Sequence, residues 1–315
     1  MIDKMRMKYR EIRRQVYEQA TMPVIANESR HAKNKTLLQN GVETVCKRAN
    51  LEHWRSATVD ARRGLWNHLW TKNRYAGIRA QLATTEITQL SPLFDDYTWF
   101  CDPGWDIESQ GHSVISAGSV TRSFLERTGP FTNIQTIRNV PKLKKIVTVA
   151  RHFKSFFDKY PNAAALDFVT RGLRPDDTWA LHDQLMESGY TADLTALHFM
   201  MDAGFQVIKP DVVISRLFLD WGWLHYAIPM LPDSVTRADL AGRGNNGRRY
   251  LYTTPTIYKP IINLVREIVS GIEPQELIAD IGWATTNTIR EFDIFVVKAG
   301  QLPESVFGIE RTLYP

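Results

Sequence analysis

Asp211 sits in Lys209-Pro210-Asp211-Val212-Val213-Ile214-Ser215-Arg216, where a proline and an acid open an apolar run with helical spacing. A carboxylate there has two uses. It can cap the helix by accepting from the first free amides. It can also stand as a fixed charge beside a developing cation, a role that the positive end of a helix supports. Two other segments offer backbone chemistry. Val114-Ile115-Ser116-Ala117-Gly118-Ser119-Val120-Thr121 reads as a helix start built of small residues, which lets backbone approach DNA closely. Gly189-Tyr190-Thr191-Ala192-Asp193-Leu194-Thr195-Ala196-Leu197 reads as a short turn between two helices. Amides at a helix N-terminus are suited to an anion. The segment 91–113 brings together Phe94, Tyr97, Trp99, Phe100 and Trp105 with Asp102 and neighbouring acids. Those rings either line a base-sized pocket or anchor the loop to the core.

The elements that must position these residues are mostly helical. Apolar residues recur at helical spacing at Ile146, Val149, Ala150, Phe153, Phe156 and Phe157. Further helices are predicted over 5–20, 32–49, 56–80, 114–127, 178–187, 194–203, 210–221, 258–270, 274–279 and 285–299. Ile289, Phe292, Phe295 and Val296 face inward on the last of these, with Arg290 and Asp293 spaced for an ion pair. Arg216 and Asp220 are spaced for another. Strand-like alternation is confined to Arg249–Tyr252. No repeat, low-complexity tract or long linker interrupts the chain. The expectation is an all-α fold, one compact body in which 1–111 is a basic helical extension with an acidic aromatic loop and 112–315 is the core with its C-terminal helices.

In order and spacing, the three segments resemble the helix-hairpin-helix DNA glycosylases. Ile115-Ser116-Ala117 matches the I-S-A-Q start of an early helix in that superfamily, Thr195-Ala196 the end of its hairpin, and Asp211, Ile214 and Arg216 its D-x-x-V/I-x-R. The likeness covers roughly residues 112–225. It implies a helix-hairpin-helix glycosylase-like core and double-stranded DNA as partner. The hairpin Gly189, Tyr190, Thr191, Ala192 and Thr195 would grip phosphate, with Gly118 and Ser119 also at the backbone. Asp211 would stabilise the positive charge that develops on the sugar or orient water. The target nucleotide must leave the stack, which makes Trp99, Asp102, Trp105 and Lys209 candidates for the base pocket. Three departures carry meaning. Tyr190 and Ala192 stand where the family has glycine, and Gly118 replaces a gap-filling glutamine. Leu194 stands where members that also cut the backbone carry a Schiff-base lysine, so the resemblance implies base removal without lyase chemistry. A repair substrate and a bulky, for example glycosylated, base of phage DNA both suit this reading. A non-enzymatic DNA-binding module is the alternative.

Charge distribution agrees with a polyanion partner. Residues 1–80 hold 17 Lys/Arg against 7 Asp/Glu, and 81–111 hold six acids and no Lys or Arg. Each cation that meets a phosphate releases a condensed counterion. Gly242-Arg243-Gly244-Asn245-Asn246-Gly247 has the dinucleotide-binding spacing, but it follows a polar stretch and precedes no helix. It reads as a mobile loop whose Arg243, Arg248 and Arg249 reach phosphates. Cys46 and Cys101 are far apart and without ligand spacing, which points to reduced thiols, no metal and no cofactor. No P-loop, H-E-x-x-H or G-x-S-x-G occurs. With no long apolar run and a charged start, the expectation is a cytoplasmic monomer off the membrane.

Overall fold

The computed structural model describes residues 1–21, 38–46, 51–75, 87–88, 91, 94–101, 115–116, 119–120, 140–174, 176–189, 193–246 and 249–300. The chain divides into two compact units, one made of Met1–Ala49 with Gln206–Pro315 and the other of Asn50–Phe205. In chain order, α1 (Ile2–Thr21) and α2 (38–46) belong to the first unit. The second unit follows with α3 (Leu51–Trp54), α4 (Val59–Tyr75), a 3-10 turn at Tyr97–Cys101, and the strands β1 (Ile115–Ser116) and β2 (Ser119–Val120). It continues with α5 (Val140–Lys159), α6 (Asp167–Thr170), α7 (Thr178–Glu187) and α8 (Asp193–Ala203). The chain then returns to the first unit with α9 (Val212–Asp220), α10 (Trp223–Ala227), α11 (Arg237–Leu240), α12 (Pro255–Ser270), α13 (Pro274–Ile281) and α14 (Thr288–Ala299).

The all-α expectation holds for the described residues, where helix dominates. The expected division at residue 111 differs from the observed units. The Tyr97–Cys101 turn packs on α5, across that boundary and inside one unit.

In the first unit, α1 turns Met5, Tyr9, Ile12 and Val16 inward, spaced three and four apart, and packs on α12, α13 and α14. α12 is the central apolar helix. It buries Ile257, Ile261, Leu264, Val265 and Ile268 among others, and full burial of such a side chain stabilises by about 1.5–3 kcal/mol. α14 buries Ile289, Phe292, Phe295 and Val296, the four expected to face inward. Arg290 donates to Asp293 at 2.6 Å, the expected ion pair. Asp220 accepts instead from Arg237 Nε at 2.7 Å, so the pairing expected with Arg216 is not the one it makes. Arg237 at the start of α11 therefore ties that helix to the end of α9.

The second unit is organised by aromatic packing. α4 buries Leu65, Trp66, Leu69 and Trp70, while α5 buries Ile146, Val149, Ala150, Phe153 and Phe157. Trp66 lies 5.8 Å from both the Phe100 and the Phe153 rings. α7 starts where Asp177 accepts from the Ala180 amide, as its sequence boundary predicts. Buried His182 reaches the Asp193 carbonyl at 3.2 Å and fixes the end of α7 against the start of α8.

Two expected elements are corrected. Val114–Thr121 does not begin a helix: Ile115 pairs with Val120 and Ser116 with Ser119 in a short antiparallel ladder. β-branched residues flanking a two-residue Ala-Gly link favour that hairpin over a helix. Arg249–Tyr252 is turn and coil and forms no strand.

Candidate functional site

Asp211 is the N-cap of α9. Its backbone is extended, with φ −78° and ψ −176°, and its Oδ1 accepts from the amides of Val213 at 2.9 Å and Ile214 at 3.1 Å. Its own amide donates to the Lys209 carbonyl at 2.7 Å, closing the turn through Pro210. Both helix amides use Oδ1, so Oδ2 accepts no hydrogen bond from the described residues. The residue is half-buried. The result is a carboxylate held at one oxygen and available at the other. Gly300 secures the same turn. A Cβ at Gly300 would lie 2.5 Å from Val213 Cγ1 and 3.1 Å from Leu217 Cδ1, so the end of α14 abuts the start of α9.

Tyr252 joins this end of α9. Burial first, and then the negative charge of Asp211, push its phenol above the ordinary value. A neutral phenol is a proton donor at neutral pH. Sequence reading treated Tyr252 only as part of a strand, and nothing in its local pattern marks it as a site residue.

The backbone of Tyr252 also closes a loop, since its amide donates to the Leu240 carbonyl at 3.1 Å. Residues 241–251 leave and return at that point, and they include the glycine-rich segment. This loop is pinned, contrary to the expectation of a mobile one. Asp239, only 1% exposed, lies at its centre. Asp239 Oδ2 accepts from the Thr236 amide at 2.9 Å and hydroxyl at 2.7 Å, and Oδ1 accepts from the Asn246 amide at 2.9 Å. Gly242 adopts φ +72°, which favours glycine. A Cβ on Gly244 would stand 2.1 Å from Asp239 Oδ1. These two glycines let the chain wrap a buried carboxylate, which accounts for them without a dinucleotide. The Thr236-x-x-Asp239 spacing of a capping box was the available signal. Arg243 and Arg249 are exposed on the loop, and the Arg249 guanidinium lies 5.3 Å from the Tyr250 ring centre. Gly247 and Arg248 lie outside the described residues.

Hydrogen bonds from Thr236, and then from Asn246, pull Asp239 from its ordinary 3.8 down to about 2. A depressed carboxylate contributes stability above the unfolded value and loses it as pH falls through the folded one. The loop should therefore stay closed at pH 5 and open as pH drops from about 4 toward 2. Hydrogen exchange at the Asn246 amide checks this. Asp239→Ala should show fast exchange already at pH 6.

The remaining predicted site residues belong to the second unit or lie outside the described residues. Gly189 follows α7 at φ +90°, and a Cβ there would lie 2.6 Å from Thr148 Cγ2, so only glycine fits. Its amide is already bonded to the Met186 carbonyl at 3.0 Å. Tyr190, Thr191 and Ala192 are outside the described residues. Thr195 lies in the first turn of α8 with its side chain buried, 6% exposed, so any contact it makes with a phosphate is through backbone. Leu194 is buried beside it. Ser119 lies in β2, not at a helix start, and Gly118 is outside the described residues.

Trp99 is corrected from pocket wall to anchor, with its ring 5.8 Å from Phe94 and 5.1 Å from Phe100. Phe94 and Phe100 are themselves fully buried and serve the core, while Tyr97 and Trp99 are half-buried against them. Asp102 and Trp105 lie outside the described residues. Lys209, Asp211, Tyr252, Arg243 and Arg249 belong to the first unit, and Gly189, Thr195 and Trp99 to the second.

Among the described residues, no three His, Cys, Asp or Glu side chains come together to hold a metal. Cys46 and Cys101 are free thiols, and burial pushes Cys46 up to about 11. No helix among the described residues is long and apolar enough to cross a membrane. Compared with known proteins, the chain matches no family model, no curated protein and no solved structure.

Proposed function

We propose that the protein is a monofunctional DNA glycosylase of helix-hairpin-helix type, which extrudes a damaged or modified base from duplex DNA and hydrolyses its N-glycosidic bond at Asp211. The observation that carries this reading is the Asp211 geometry: a half-buried carboxylate fixed through Oδ1 by two helix amides, with Oδ2 open. As the bond from C1′ to the base breaks, positive charge develops on the sugar. A rigid carboxylate stabilises that charge without reorganising at the moment of reaction. Water then bonds to C1′, and its proton passes to Oδ2. Exposed Arg243 and Arg249, on a loop held by Asp239, would carry backbone phosphates.

The competing reading is a DNA-binding module without chemistry. It is favoured by the cap itself, because a fold that needs the first turn of α9 would keep Asp211 for its hydrogen bonds alone.

Leu194 gives the test of the reaction class. Modified DNA incubated with the protein should carry alkali-labile abasic sites, with no strand break before alkali and no protein–DNA adduct on borohydride reduction. Adduct formation would replace this mechanism with an amine nucleophile.

A further inference from the structure

The second unit holds a groove of about 970 Å³ along the C-terminal end of α5, bounded by the 161–163 turn, α6 and the end of α7. Its wall pairs rings with cations. Phe156 and Tyr160 lie 5.2 Å apart, and the Lys159 ammonium stands 5.1 Å from the Tyr160 ring centre. Tyr160 is 46% exposed, unusual for so large a ring. Across the groove, Arg171 Nη2 donates to Ser188 Oγ at 3.2 Å, and His152 Nδ1 lies 3.0 Å from the Ser188 carbonyl. Both side chains remain exposed.

Arg171 carries a second signal. It has φ +43°, the positive-φ residue other than glycine among the described residues, at the C-cap of α6. Glycine adopts that backbone at lower cost. Backbone strain retained at one residue marks a position where the side chain has a use, and here the guanidinium ties α6 to the end of α7 through Ser188 and Gln184 while lining the groove. The acids on the wall are Asp167, which is occupied by the Ala164 amide at 2.9 Å, and Glu187. A carboxylate beside stacked rings can accept from an amino group on a base edge.

We infer that this groove binds a short single-stranded segment of nucleic acid, with bases stacked on Tyr160 and Phe156 and phosphates met by Lys159 and Arg171. Flat rings flanked by cations suit single strands because every base has a face to stack and every linkage a charge. The groove exceeds what one base fills and suits a few nucleotides. A peptide ligand would need acids to meet the cations and has no matching use for the exposed Tyr160 ring. The inference is independent of base release at Asp211.

The test is fluorescence anisotropy with a labelled ten-nucleotide single strand, repeated with a duplex and with an oligoglutamate peptide. Tyr160→Ala should weaken single-strand binding about tenfold. Lys159→Gln removes an exposed cation, and the slope of log affinity against log salt should become shallower by about 0.7. Single-strand affinity unchanged in both variants would overturn the inference. Binding restricted to duplex, or oligoglutamate binding that shows the same dependence on Tyr160, would overturn it as well.

Discussion

Asp211→Asn should lower the rate of base release by at least about 10²–10³-fold, the range found when one fixed group that stabilises transition-state charge is removed. The substitution separates the two uses of the residue. Asparagine caps a helix about as well as aspartate, and its carbonyl oxygen can accept from the Val213 and Ile214 amides as Oδ1 does now. Thermal stability should therefore stay within about 0.5 kcal/mol of the parent. DNA affinity should be maintained or rise, since one negative charge is lost near the phosphates. Asp211→Ala should behave differently: the same loss of release, with about 1 kcal/mol of stability lost with the cap. Equal release by Asp211→Asn and the parent would leave only the cap.

Arg13→Ala should cost about 3–5 kcal/mol, because it leaves a buried carboxylate with no counter-charge. Arg13 and Glu291 are both 0% exposed. The Arg13 guanidinium donates to Glu291 Oε1 and to the Leu277 and Trp283 carbonyls, and it lies 5.3 Å and 5.5 Å from the Trp283 and Phe295 ring centres. Glu291 Oε2 accepts from the Thr285 amide at 2.8 Å. One side chain thus joins α1 to α13, α14 and the turn between them. Through it the N-terminal helix is fastened to α14, whose C-terminal end abuts the start of α9. Arg13→Lys should also destabilise, because an ammonium cannot reproduce the planar fork or its stacking. Arg13→Met with Glu291→Leu should recover most of the loss, since an apolar pair of similar volume often replaces a buried ion pair at little cost. Urea denaturation followed by circular dichroism measures all three. A loss under about 1 kcal/mol in Arg13→Ala would mean that water reaches Glu291.

The helices were largely legible because amphipathic spacing and caps survive in one dimension. Thr178–Glu187 coincides with its predicted range, and Ile289, Phe292, Phe295 and Val296 all face inward. The two-unit division was not legible. The first unit is assembled from both ends of the chain, and no local pattern shows that α1 belongs with α12–α14. Val114–Thr121 was misread because small residues suit both a helix start and a tight hairpin, and the partner strand decides between them. At the site, Pro210-Asp211 announced a cap and the cap is there. The glycine-rich loop was misread because its organiser, Asp239, comes before the motif and acts by folding back onto Asn246. The aromatic cluster left pocket and anchor both open in sequence, and Trp99 packs on the buried rings of Phe94 and Phe100.

The most direct measurement is mass spectrometry of small molecules released when the protein meets DNA containing modified bases, paired with a count of abasic sites in the same DNA. Base release at Asp211 predicts a free modified base in one-to-one ratio with abasic sites, and neither product with Asp211→Asn. DNA that is bound yet yields no free base from a panel of damaged and phage-type modifications would contradict the account and leave a binding module in its place.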